Sequence, residues 1–263
     1  MRAEEHNLPA VHRPSQPWLF YSLEPPPVTH HTGFRGERYP DFFNWTMTYR
    51  RDSDFWLPYR SYRATTAPRS GVRPNYARGK TKLAVAIISN CAEERLRFVR
   101  RLAEVVPVDV YGRCGKGKVC TEARGAGACM RDLLRPYKFY IAAENSRCAD
   151  YVTEKYWRSI GDDLQMVPIV VGPPADDYAA VVIPGSYVHA DSFESVGALG
   201  AYMKRADAND TLYSELFAWR ERYVPIAGSY TRAWCEFCKA LHESPVRRRT
   251  FPNFGKWWEG SCK

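Results

Sequence analysis

The 263-residue sequence contains no run of about 18 consecutive apolar residues, so no stretch of it is long enough to cross a bilayer as a helix. Met1 is not followed by a basic segment and an apolar one, so no secretory leader is read there. No G-x-G-x-x-G occurs, which disfavours a nicotinamide or flavin dinucleotide. The loop holding Cys114, Cys120 and Cys129 has no histidine beside it and no paired C-x-x-C knuckles, which disfavours zinc and favours disulfides. The basic stretch from Ala64 to Thr81 has no aromatic ladder interleaved with its charge, so it reads as a linker and not as a nucleic-acid surface.

What is present describes a globular chain. Apolar residues make up 45% and charged residues 25%, which supports a core and argues against extended disorder. The net charge of +9 favours an anionic partner without naming one. Eight cysteines suit an oxidising compartment, and the sequons at Asn44 and Asn209 agree with it.

Taken in order, Trp18–Leu23 reads as a strand ending at Glu24, after which Pro25–Pro27 is expected to bar regular structure. A carboxylate fixed at a strand end is a candidate general base, although the residue type alone favours a turn glutamate. Asp52 and Asp54 look like a metal-binding pair, but Arg50 and Arg51 beside them favour a structural role. Lys82–Ser89 is an apolar run of buried-strand type, Glu93–Val106 an amphipathic helix and Val108–Tyr111 a further strand, together a βαβ unit. Arg95 falls in the first turn of that helix, where a guanidinium reaches a diphosphate or simply faces solvent. A buried strand at Val167–Val171 ends in Gly172-Pro173-Pro174. Helices are expected at Ser195–Asp207, with Ser192 as cap, and over roughly Leu212–Tyr223. The C-x-x-C at Cys235 and Cys238 reads as a structural disulfide.

The densest stretch is Tyr137–Lys155, YKFYIAAENSRCADYVTEK. It reads as a buried strand, a polar turn at Glu144 and Asn145, and a helix capped by Asp150 or Thr153 that carries Glu154 and Lys155. The carboxyl end of a strand followed by a helix start is where open α/β sheets take anionic, nucleotide-like ligands.

These residues resemble a known family. KFYIAAENSRCADYVTEK is similar to the donor-binding signature of the α1,3/4-fucosyltransferases of glycosyltransferase family 10, K-F-Y-x-x-x-E-N-S-x-x-x-D-Y-[IV]-T-E-K. WLFYSLEPPP, FNWTMTYRRDSDFWLPY, VAIISNC, VPVDVYGRCG, VPIVVGPP and the terminal C-x-x-C resemble further family blocks in the same order, over roughly residues 14–262. The forms SNC, YGRCG and ENSRCADY are more like invertebrate or core-type members.

The resemblance implies an α/β fold of the GT-B class, two Rossmann-like domains facing each other across a cleft. The expected division is 1–78 for the acceptor side, 79–232 for a GDP-fucose-binding domain and 233–263 for a cysteine-bearing tail. Family members carry several tens of residues of folded domain before the WLFYSLE segment, whereas 17 residues precede Trp18 here. The amino-terminal domain is therefore expected to be incomplete, and Cys235, Cys238 and Cys262 to pair differently from those of some relatives. The implied reaction moves fucose from GDP-fucose to the 3-hydroxyl of N-acetylglucosamine in a glycan, with inversion; a nucleotide- or glycan-binding protein without transfer is the alternative. By resemblance, Glu24 is the base, Lys155 and Arg95 face the diphosphate, Asn145, Tyr151 and Glu154 surround nucleotide and fucose, and Ser89 and Asn90 line the same cleft. No cofactor is required, a divalent metal being at most stimulatory. No nucleic-acid partner is expected. The family's Golgi members lie in the lumen on a type II membrane anchor, which this sequence does not include.

Overall fold

The computed structural model describes residues 16–66, 73–117, 120, 126–161, 164–226, 229–243 and 250–262. The chain forms two compact units, one of Met1–Ser61, Ser146–Val152 and Ile226–Lys263, the other of Tyr62–Asn145 and Thr153–Pro225.

The first unit opens with β1 (Leu19–Ser22), α1 (Pro26–His31), β2 (Trp45–Thr48) and β3 (Phe55–Trp56). The three strands are parallel in the order β1-β2-β3, with Leu19 opposite Trp45 and Met47 opposite Phe55. The prolines at 25–27 do not end regular structure: Pro25 is the N-cap of α1 and Pro26 its first residue. A first helical turn needs no N–H from its proline, and the fixed φ favours helix entry there.

β4 (Ser61–Ala64) follows, and then the elements of the second unit. These are β5 (Lys82–Ile87), α2 (Glu93–Ala103), β6 (Val108–Tyr111), α3 (Ala126–Leu134), β7 (Tyr137–Ala143), α4 (Glu154–Ser159), β8 (Val167–Val171), α5 (Ala175–Ala179), β9 (Val188–His189), α6 (Val196–Asp207), α7 (Asp210–Glu215) and β10 (Tyr223–Ile226). β10 pairs with β4, and the other five strands form one parallel sheet in the order β6-β5-β7-β8-β9. Every residue of β7 is buried, as a strand covered on both faces must be. Leu96, Val99 and Leu102 of α2 pack into the same core as Ala84, Ala86, Phe139, Ile141, Val167 and Ile169. Tyr76 and Ala77, within the stretch read as linker, are buried in this core as well.

Several expectations are corrected. α3 begins inside the glycine- and cysteine-rich stretch that reads as loop. Ser195, not Ser192, caps α6, its hydroxyl accepting from Ala198 N at 3.1 Å. The expected helix to Tyr223 stops at Glu215, continues as a short 3-10 turn over Ala218–Glu221 and gives way to β10. Asn209 starts α7 by accepting from Leu212 N, and apolar spacing alone does not mark where the helical hydrogen bonds cease.

The chain returns to the first unit with α8 (Ser229–His242) and α9 (Phe254–Glu259). Ala233 and Phe237 of α8 pack on Trp45 and Phe55, while Phe254 and Trp258 of α9 pack with Phe20, Phe34 and Phe43. Three disulfides join Cys91 to Cys114, Cys120 to Cys129 and Cys148 to Cys262. The pair read as a structural disulfide is instead free: Cys235 and Cys238 lie exposed along α8. Among the described residues, no helix is long and apolar enough to cross a membrane and no group of three or more His, Cys, Asp or Glu is placed to hold a metal.

Candidate active site

In the second unit the five parallel strands, numbered by their order along the chain, run 2-1-3-4-5 across the sheet. The order reverses between β5 and β7, and such a switch point opens a crevice at the carboxyl ends of the strands. Ser89 and Asn90, both exposed, follow β5 there, and Glu144 and Asn145 follow β7. Arg95, 5% exposed, donates to Ala143 O at 3.2 Å and to Asn90 O, so one guanidinium braces both strand ends. Its place as a buried brace is not legible from the helix pattern, which offers only solvent or ligand.

Glu144 organises the floor and was missed as a site residue in the sequence. Its side chain is fully buried. It accepts from Thr153 N at 2.8 Å, from Thr153 Oγ1 at 2.9 and 2.8 Å, and from Lys155 Nζ at 3.0 Å. Burial pushes its carboxyl above the ordinary range, against the opposing pull of Lys155 and the Thr153 donors. The signal that could have found it is Gly172: a Cβ there would lie 3.1 Å from Glu144 Cγ, so the Gly-Pro-Pro turn leaves room for this carboxylate.

Thr153, one of the two expected caps, is the N-cap of α4, and its Oγ1 also accepts from Lys155 Nζ at 2.8 Å. Lys155 is thus held by a carboxylate and a hydroxyl, with the exposed Glu154 carboxylate 3.4 Å away. Burial alone would lower the Lys155 pKa, but Glu144 and Glu154 outweigh it and hold it above the ordinary value, so the side chain stays charged at neutral pH. Burial would raise Glu154, but Lys155 and Arg158 keep its carboxyl below the usual range. α4 has only six residues, so the positive charge here comes from Lys155 and not from a helix dipole. Asn145 Oδ1 is buried with no hydrogen-bond partner among the described residues. A buried acceptor left open is costly unless a ligand supplies the donor.

The first unit holds Glu24 and Tyr151. Glu24 follows β1, exposed, and its Oε2 accepts from the Tyr151 hydroxyl at 3.2 Å. Ser22 Oγ donates to Glu24 O at 2.8 Å and accepts from Glu24 N at 3.2 Å, while the Tyr59 hydroxyl donates to Leu23 O at 2.9 Å. These bonds fix the backbone that carries the carboxylate. Tyr151 is buried against the edge of Tyr49, with ring centroids 5.0 Å apart. Its segment, 146–152, is pinned by the Cys148–Cys262 bond, by Ala149 N donating to Ser261 O, and by Asp150 accepting from Arg51 N and Nε. Asp150 has φ of +61° and serves this ion pair, not a helix cap.

Asp52 and Asp54 are engaged within the first unit. Asp54 accepts from Thr46 N and Oγ1, both at 3.0 Å, and Asp52 pairs with Arg50 at 2.6 Å and accepts from Trp257 Nε1. Asn44 is half-buried and its Oδ1 accepts from Trp18 N, whereas Asn209 is exposed.

Comparison with known proteins bears on this arrangement. Residues 77–257 match the family model described as glycosyltransferase family 10 (fucosyltransferase) C-term, and residues 1–60 match fucosyltransferase, N-terminal. Glycoprotein 3-alpha-L-fucosyltransferase A of Drosophila melanogaster is 36% identical over 98% of this chain and 51% of its own length. Alpha-(1,3)-fucosyltransferase 4 of Mus musculus is 36% identical over 94% of this chain and 56% of its own, and alpha-(1,3)-fucosyltransferase 7 of Bos taurus 33% over 98% and 71%. The chain spans about half the length of the first of these relatives. A crystal structure of an α1,3-fucosyltransferase with GDP-fucose superposes with a TM-score of 0.60 at 17% identity, covering 90% of this chain and 78% of that one. A second, with GDP, gives 0.57 at 18% identity over 87% and 75%. The expected α/β, GT-B-class fold therefore holds in its parallel sheets and in its likeness to these structures. With the family model matched over residues 77–257, more than half of the sequence, the chain belongs to glycosyltransferase family 10, the fucosyltransferases.

Proposed function

We propose that this chain carries the machinery of an inverting α1,3-fucosyltransferase, moving fucose from GDP-fucose to the 3-hydroxyl of an N-acetylglucosamine in a glycoprotein or glycolipid glycan. The observation that carries the donor half is the switch point itself. A charged lysine is fixed on Glu144 and Thr153, and Asn145, the residue after Glu144, keeps a buried acceptor without a partner among the described residues. That combination suits a ligand with an anionic diphosphate and sugar hydroxyl donors.

In this reading Glu24 removes the proton from the acceptor hydroxyl as that oxygen attacks the anomeric carbon and GDP departs from the opposite face. The proton ends on Glu24, the electron pair of the broken bond on the departing phosphate oxygen. Lys155 offsets the charge that builds on that oxygen. Glu154 and Asn145 take hydroxyls of the donor, with Ser89 and Asn90 beside them. Tyr151 orients the base by its hydrogen bond to Glu24. Arg95 acts through the two strand ends it braces, keeping Asn90 and Ala143 in register. The working division keeps 79–232 as the donor-binding part. A Golgi-lumenal setting fits the three disulfides and glycan addition at Asn209 and Asn44.

The test separates binding from chemistry. Glu24→Gln is expected to bind GDP with unchanged affinity by calorimetry and to lose transfer of radiolabelled fucose. Normal transfer by that variant would place the base elsewhere. GDP binding without transfer by the unaltered chain would favour a binding protein.

A further inference from the structure

A cavity of the same unit lies at the opposite end of the sheet from the switch point, where the chain enters β5, β7 and β8. Its volume is about 440 Å³, and Arg78, Lys80, Arg131, Asp132, Arg135 and Leu164 line it. Arg78 and Lys80 come from the turn before β5, Arg131 from the last turn of α3, Arg135 from the residue after that helix, and Leu164 from the entry to β8. Gly79, with φ of +81° and nothing within 4 Å of its missing Cβ, makes the turn that presents Arg78 and Lys80 on either side.

The cations are undercompensated. Lys80 Nζ gives one of its three hydrogens to Leu164 O at 2.6 Å and meets no carboxylate among the described residues. The guanidiniums of Arg78 and Arg135 make no hydrogen bond or ion pair among the described residues, and Asp132 is the one acid in the lining. The carboxyl end of α3 accounts for Arg131 in its last turn and Arg135 just after it through the helix dipole. It does not explain Lys80, half-buried where burial and the Arg135 charge together depress its pKa to about 8. Arg78, Arg131 and Arg135 are exposed and solvated, whereas the half-buried Lys80 carries a cost to folding that an anion bound among these cations removes.

We propose that this cavity is a binding site for a tetrahedral dianion, a phosphate or sulfate group, either free or carried as an ester on a sugar. Arg78, Lys80, Arg131 and Arg135 against Asp132 leave a formal net charge of +3, most of which such a group neutralises. The two planar guanidinium forks and the remaining lysine hydrogens match its several oxygens. The site is separate from the switch point, which lies at the carboxyl ends of the same strands.

The experiment is calorimetric titration of the whole chain, saturated with GDP so that the switch-point site is occupied. Sulfate, inorganic phosphate, N-acetylglucosamine 6-sulfate and neutral N-acetylglucosamine are titrated in turn. The anions are expected to bind and the neutral sugar not to. Arg78→Gln and Arg135→Gln are each expected to weaken anion binding about ten- to a hundredfold, the loss of one charged hydrogen-bonding group. GDP affinity should stay unchanged and the urea midpoint should not fall in either variant. Tighter binding of the sulfated sugar than of free sulfate identifies the ester as the ligand, and equal binding identifies the free ion. Absence of anion binding to the GDP-saturated protein overturns the site, as does full anion affinity in both variants. Should GDP itself not bind, the titration is run without it; an Arg135-dependent anion site then stands and only the donor reading falls.

Discussion

Replacing Glu144 by glutamine tests whether Lys155 is positioned by this carboxylate. The glutamine keeps the volume and one acceptor oxygen, which can still meet Thr153 N. Its amide nitrogen replaces the oxygen that receives Lys155 Nζ at 3.0 Å and Thr153 Oγ1 at 2.8 Å. One charged hydrogen bond is lost, worth about 1.5–3 kcal/mol, partly offset because a neutral amide costs less to bury than a carboxylate. The expected loss of stability is about 1–3 kcal/mol in urea unfolding followed by tryptophan fluorescence. GDP affinity should fall about tenfold as Lys155 loses its tether. The decisive measurement is a double-mutant cycle with Lys155→Met: the two groups touch, so the double variant should be less destabilised than the sum, by about 1–3 kcal/mol. Additivity to within about 0.5 kcal/mol, or unaltered GDP binding by Glu144→Gln, would refute the reasoning.

Other consequences follow from the same geometry. Arg95→Met should destabilise by about 2–4 kcal/mol, since the carbonyls of Ala143 and Asn90 lose a buried donor; an unchanged urea midpoint would show that the brace carries no weight. Lys80 has a folded pKa of about 8 against 10.5 unfolded, so between those values the unfolded chain binds more protons and stability should rise with pH. Lys80→Met should be more stable than the parent at pH 7 and should flatten that rise; a parent curve falling from pH 8 to 10 contradicts the assignment. Maleimide labelling of the native, unreduced protein should modify Cys235 and Cys238 and spare the other six cysteines, as peptide mass mapping would read; protection of both would mean that they are bonded.

The sequence by itself determined the elements whose cause is local. The runs at Lys82–Ile87, Tyr137–Ala143 and Val167–Val171, apolar but for Lys82 and Lys138, were legible as buried strands from their length and composition, and the structure places them side by side in one parallel sheet. Thr153 as one of two candidate caps and the amphipathic α2 were legible for the same reason, because capping and 3.6-residue periodicity are properties of a few neighbouring residues. The family signature implied a ligand class without revealing how its residues are held.

Tertiary structure decided the rest. Glu144 was legible as a polar residue at a strand end, but its burial and its grip on Lys155 depend on Gly172, 28 positions later. Tyr151 reads as part of the strand-turn-helix stretch, yet the Cys148–Cys262 bond and the Arg51–Asp150 pair draw segment 146–152 into the unit of Glu24. The C-x-x-C reads as a bond until α8 packs its Ala233 and Phe237 inward and leaves both sulfurs at the surface. Each of these depends on partners far away in the chain, and periodicity and capping are blind to such partners.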